Sequence, residues 1–169
     1  LRQRVTELET AEAERKRAEE ALRASEERLR RLVESATDYI YTVKIEAGHP
    51  VATTHGPGCV TVTGYTPEEY DADPQLWYRM VYEQDRPAVT EQAAKVLSGE
   101  TASPLEHRLI HKDGSIRWVK NTPVPRHDDQ GRLVAYDGLI ADITERRRAE
   151  NALRDAEAEK ETILDSQLE

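Results

Sequence analysis

The stretch Glu106-His107-Arg108-Leu109-Ile110-His111-Lys112-Asp113-Gly114-Ser115-Ile116-Arg117-Trp118-Val119 reads as two strands folded back on a tight turn. Lys112-Asp113-Gly114 is that turn, because Asp-Gly between β-prone runs supplies the backbone angles a short reversal needs. The spacing predicts strands over 105–111 and 116–124. A looser turn at Asp128-Asp129-Gln130-Gly131 leads into a further strand over 133–143. Three consecutive antiparallel strands therefore close this half of the chain.

Upstream, Tyr39-Ile40-Tyr41-Thr42-Val43-Lys44-Ile45 is aromatic and β-branched, and predicts another strand. Gly48-His49-Pro50 reads as its turn and Val51–Thr54 as the return. A short helical segment over Cys59–Thr63 ends at Gly64. Thr66-Pro67-Glu68-Glu69 is a helix start, with Thr at the cap, Pro in the first position and Glu three residues on. Asp73-Pro74 restarts the chain in a helix carrying Leu76, Trp77 and Met80. Asp85 and Pro87 open another, with Val89, Ala93, Val96 and Leu97 on one face and Gly99 as its stop. Two strands, several short helices and three strands give an α+β fold, a five-stranded antiparallel sheet with helices on one face.

The ends differ in kind. Residues 1–36 contain no Gly or Pro and are dense in Ala, Glu, Arg and Leu. Leu1, Leu8, Leu22 and Leu29 fall on one heptad seam, and Ala18 and Leu32 on the second. A parallel homodimer would bury these seams; a single helix packed on its own domain is the alternative. Glu14-Arg15-Lys16-Arg17-Ala18-Glu19-Glu20-Ala21-Leu22-Arg23 returns at 145–154 as Glu145-Arg146-Arg147-Arg148-Ala149-Glu150-Asn151-Ala152-Leu153-Arg154. An interval that long encloses a whole domain rather than a solenoid unit. The expected organisation is a linker helix over 1–36, a domain over 37–143, and a second helix over 144–169. At Asp142-Ile143-Thr144-Glu145 the strand pattern gives way to helix, with Asp142 or Thr144 as cap.

Four segments in order resemble the PAS domain with its PAC portion. They are Thr63-Gly64-Tyr65-Thr66-Pro67-Glu68-Glu69-Tyr70, then Gln84-Asp85-Arg86, then Glu106–Val119, then Asp142-Ile143-Thr144-Glu145-Arg146. The resemblance covers the whole middle of the chain and departs from the family at Tyr82-Glu83, where His-Pro is usual. It implies sensing or relay of a signal to an output in the same chain, such as a histidine kinase or diguanylate cyclase. The residues Asp142, Ile143, Thr144 and Glu145 would carry that signal into the exit helix.

A formal net charge of −9 argues against nucleic acid or an anionic membrane as partner. The single cysteine, Cys59, excludes an internal disulfide and fits a cytoplasmic setting. No apolar run approaches the ~20 residues a membrane-spanning helix needs. Enzyme chemistry has no anchor: no nucleophile–base order, phosphate loop or carboxylate pair stands out.

Neither haem nor flavin is expected. Residues 85–98 contain no His to ligate iron, and Met80 alone reads as core. Cys59 lacks the Asn-Cys-Arg-Phe-Leu-Gln setting of photoactive flavin domains. No metal site is expected: Gly56-Pro57-Gly58 denies His55 and Cys59 a shared helix, and His107 and His111 lie roughly 13 Å apart along one strand. What remains is an apolar cleft between sheet and helices, with Tyr41, Val43, Val60, Tyr65, Trp77, Met80, Val89, Leu109 and Ile140 as candidate lining. Either these side chains fill the space at core density, or an unknown small ligand occupies it.

Overall fold

The computed structural model describes residues 2–166, in two units that divide between Ala36 and Thr37. The first unit is one helix, α1 (Arg2–Ala36). Its apolar positions Leu8, Leu22, Leu29 and Leu32 are all exposed, and Ala18 with them. Leu1 lies outside the described residues.

The second unit is built on five strands: β1 (Tyr39–Glu46), β2 (His49–His55), β3 (Leu105–Ile110), β4 (Ile116–His127) and β5 (Leu133–Asp142). Their spatial order is β2-β1-β5-β4-β3, and every neighbouring pair is antiparallel. Between β2 and β3 come α2 (Cys59–Thr63), α3 (Pro67–Ala72), α4 (Leu76–Met80), one 3-10 turn at Glu83–Asp85, and α5 (Arg86–Leu97). The second long helix, α6 (Thr144–Ser166), follows β5.

Tyr39, Cys59, Val62, Tyr70, Leu76, Leu109, Val119 and Ile140 form the main buried cluster. A second cluster of Val43, Ile45, Val96 and Tyr136 lies under α5. Inward positions alternate along β3 and β4, as a sheet covered on one face requires: His107 and Leu109, then Val119 and Asn121.

Local chemistry sets the elements. Thr66 accepts from the Glu69 N–H while a Glu69 oxygen accepts from the Thr66 N–H, so the expected reciprocal cap forms. The Cys59 thiol is fully buried and donates to the Tyr65 carbonyl at 3.2 Å, as a small core side chain. Two expectations change. The first hairpin turns at Ala47-Gly48, both with positive φ, and His49-Pro50 already belong to β2. Pro50 is tolerated there because β2 is an edge strand and needs fewer backbone donors. Asp85 precedes α5 without its side chain capping it, because that carboxylate is held elsewhere.

It is held by Arg108. The Asp85 carboxylate accepts from the Arg108 backbone N–H (2.8 Å), Nε (2.9 Å) and Nη2 (2.6 Å). These charge-assisted bonds join the start of α5 to β3 and hold the Asp85 carboxyl below the usual carboxylate range.

Candidate functional site

Between the sheet and α5 lies a cavity of about 210 Å³. Tyr41, Val43, Trp77, Met80, Val89, Leu109 and Ile140 line it, so seven of the nine expected residues come together there. Val60 does not: it stands on α2 with 43% of its surface exposed. Nor does Tyr65, whose ring packs edge-on against Tyr70 and borders a shallow groove beside α3 and α4. Both were placed by apolar character alone, and α2 is too short for its sequence to show which side faces inward.

The polar half of the lining was not legible as a site. Tyr39, His55, Gln92, His107, Asn121 and Tyr136 also reach the cavity. His107 and Asn121 could have been found from strand alternation, since they lie two residues from Leu109 and Val119 on the same faces. Asn121 Nδ2 donates to the Tyr41 hydroxyl and to Gln92 Oε1, each at 3.0 Å. Gln92 Nε2 in turn donates to the Ser103 carbonyl at 2.7 Å. This network fixes α5 to β1 and β4 through side chains that burial would otherwise penalise.

His55 stacks on Tyr70 with ring centroids 3.7 Å apart and on Tyr41 at 5.8 Å, and tilts against Tyr39. Burial lowers the His55 and His107 imidazoles to about 4, against the opposing charges of Asp71 and Asp85 respectively. Both rings are therefore neutral near pH 7. The Nδ1 atoms of both are buried with no hydrogen-bond partner among the described residues. Desolvation likewise pushes the Tyr70 phenol up to about 12 and Tyr41 above its ordinary value.

Residues 85–98 carry no His, but His55 and His107, on β2 and β3, line the cavity. An apolar cavity of ~150 Å³ takes a benzene ring, so this one has room for one or two rings and not for a tetrapyrrole as packed here. Among the described residues no cluster of three or more His, Cys, Asp or Glu side chains could hold a metal ion.

The exit of the sheet is the second feature. Ile143 N–H donates to the Trp118 carbonyl at 2.8 Å, and Trp118 N–H donates to Thr144 Oγ1 at 2.9 Å. The Thr144 hydroxyl and N–H both donate to Asp142 Oδ1. Thr144 is therefore bonded into β4, and Asp142 supplies the cap. Glu145 does not complete a reciprocal box; it pairs with Arg148. Asp142 N–H donates to the Asp38 carboxylate at 2.5 Å and Asp38 N–H to the Ile140 carbonyl at 2.7 Å, so the first residues of the domain grip the last. One turn on, Glu106 of β3 accepts from Arg146 and Arg147, each at 2.6 Å, and the Arg147 guanidinium lies 4.5 Å over the Trp118 ring. Partial burial opposes ionisation of Glu106, but the two guanidiniums outweigh it and lower its carboxyl.

A five-stranded antiparallel sheet, short helices over one face and a side-chain-lined cavity between them define a small α+β domain built around one pocket. A family model described as PAS fold matches residues 53–140, and the chain belongs to that family. It is 26% identical over 142 residues to a methyl sulfide methyltransferase-associated sensor of Methanosarcina acetivorans, covering 82% of this chain and 14% of that protein. It is 30% identical over 161 residues to the uncharacterized protein y4lL of Sinorhizobium fredii, covering 95% of this chain and 18% of that one. The chain thus spans less than a fifth of the length of these relatives. The crystal structure of a sensory box histidine kinase/response regulator from Burkholderia thailandensis superposes with a TM-score of 0.58 at 22% identity, over 80% of this chain and 98% of that one.

Proposed function

We propose that this chain is a signal-relay module that pairs with a second copy through α1 and passes a conformational change from its sheet into α6. The effector would be a further domain of the same protein, such as a histidine kinase or diguanylate cyclase. The observation that carries the reading is the junction at Thr144. Because Ile143 and Thr144 bond to Trp118 in β4, a shift in the sheet moves the first turn of α6 with it. Glu106 adds a second tie one turn further along. Asp142, Ile143, Thr144 and Glu145 are the proposed route.

Pairing is supported by the exposed Leu8, Leu22 and Leu29 of one seam and Leu32 of the other, which a second helix would cover. Leu153 and Ile163, at the repeat positions of Leu22 and Leu32, are exposed on α6 in the same way. Sedimentation of the full chain against Leu22→Glu/Leu29→Glu tests the proposal. The parent is expected to sediment as a dimer and the variant as a monomer; equal behaviour of both removes the pairing.

A second reading, a ligand-binding domain that works as a monomer with passive helices, is favoured by the cavity between the sheet and α5. Retention of a small molecule by the purified chain, detected by mass spectrometry, would support it.

A further inference from the structure

Four side chains of alternating kind, ring and cation, stand in a row across one end of the sheet. Arg108 and Trp118 are direct partners across β3 and β4. Because His107, Leu109 and Val119 are the buried, inward positions, these two project to the face away from the cavity. The Arg108 guanidinium lies 4.3 Å over the Tyr82 ring and 5.5 Å over the Trp118 ring. Arg147 of α6 lies over the same Trp118 at 4.5 Å. Each distance is within the ~6 Å over which a ring face attracts a cation.

The two ends of the row belong to two helices. Tyr82 N–H donates to the Arg108 carbonyl at 3.0 Å, and Asp85 grips the Arg108 side chain immediately before α5 begins. α5 in turn supplies Val89, Gln92, Val96 and Leu97 to the cavity wall. At the other end Arg147 donates to Glu106, two residues from Arg108 on the same strand. Two guanidiniums thus share the Trp118 ring, each beside its own carboxylate, which offsets the repulsion between them. The Arg147 Nε is buried with no hydrogen-bond partner among the described residues. Leaving Trp118 would return that donor to water, so the contact that seats α6 is easily released.

We infer that Tyr82, Arg108, Trp118 and Arg147 form a latch through which the start of α5 sets whether the first turn of α6 stays seated on the sheet. This deepens the relay reading above and rests on it. Tyr82 and Asp85 together fix where Arg108 sits. Freed of either anchor, Arg108 crowds Arg147 over the one ring they share, and α6 lifts. The latch is a second route into α6, separate from the Thr144 junction, because it runs through side chains rather than through strand hydrogen bonds. It makes α5, a wall of the cavity, a lever on the exit helix.

Hydrogen exchange of the full chain tests this, read by NMR at the amides of Arg147, Arg148 and Ala149 relative to those of β1. Asp85→Asn is expected to speed exchange there about three- to fivefold, the size of one cation–π contact. Should that variant not fold, Tyr82→Leu, which leaves the Asp85–Arg108 pair in place, should do the same. Tyr82→Phe keeps the ring and should exchange as the parent does. In an Arg147→Gln background neither Asp85→Asn nor Tyr82→Leu should add anything, because no second cation is left to displace. Unchanged α6 exchange in both variants, or an acceleration that persists with Arg147→Gln, overturns the latch. Thr144→Val, read in the same way, separates the two routes. Acceleration there with none in Asp85→Asn or Tyr82→Leu removes the latch and leaves the junction. Accelerated exchange in all three, in a chain that sediments as a monomer, keeps the latch and removes the pairing.

Discussion

The hydroxyl of Thr144 accepts the Trp118 backbone N–H at 2.9 Å, so the first residue of α6 stands where a strand carbonyl would otherwise complete the β4 ladder. One side chain therefore belongs to sheet and helix together. Thr144 is 3% exposed, and water does not replace that acceptor readily.

Thr144→Val keeps the shape and removes the acceptor. It is expected to lower stability by about 1–2 kcal/mol, seen as a fall in the urea midpoint with the slope unchanged. Thr144→Ser should recover most of the loss. Hydrogen exchange of the first-turn amides of α6 should speed up more than exchange in β5.

Asp85→Asn should be more damaging than its exposed position in sequence suggests. The carboxylate meets three donors of Arg108, and the two side chains are 17% and 26% exposed. Losing the charge of a half-buried pair is expected to cost about 2–3 kcal/mol. A double-mutant cycle with Arg108→Leu would show most of that as coupling.

Acid should weaken the fold before its carboxylates titrate. His55 and His107 bind protons at about 4 when folded against 6.5 in the free side chain, so the unfolded state holds more protons between those values. Stability is complete above about pH 6.5 and falls as pH drops toward 4. His107 can contribute up to about 3 kcal/mol of that loss. His107→Leu should flatten the pH 4–6.5 limb of a melting-temperature profile. The loss from Asp85 comes below this window, because its folded pKa is depressed.

Gly138→Ala tests how tightly the cavity wall is set. Gly138 pairs with Tyr41 across β5 and β1, and an added Cβ would collide with the Tyr41 ring. The ring must move, at a cost of about 1–3 kcal/mol. Its hydrogen bond from Asn121 should be lost, with a changed Tyr41 ring environment by NMR.

Strand alternation, the Asp113-Gly114 turn and the Thr66 cap are local signals, and each marks its element from a few neighbouring residues. The same holds for the seven apolar cavity residues, since a residue's face follows from its place in the strand or helix period. Val60 and Tyr65 failed that inference because α2 and the loop after it are too short to have a readable period. The expected first turn runs two residues too far, because Pro50 reads as a breaker by itself and is accepted in β2 only because that strand is an edge.

The sequence by itself determined the order of elements, the apolar side of the sheet and the two repeated helical ends. Those depend on backbone preferences and periodicity, which act over a few residues. Only the tertiary structure decided that Asp85 serves Arg108, that Thr144 serves Trp118, and that His55 and His107 share one cavity. These partners lie more than twenty residues apart, and a polar side chain's choice among distant donors is settled by which strands come to lie side by side.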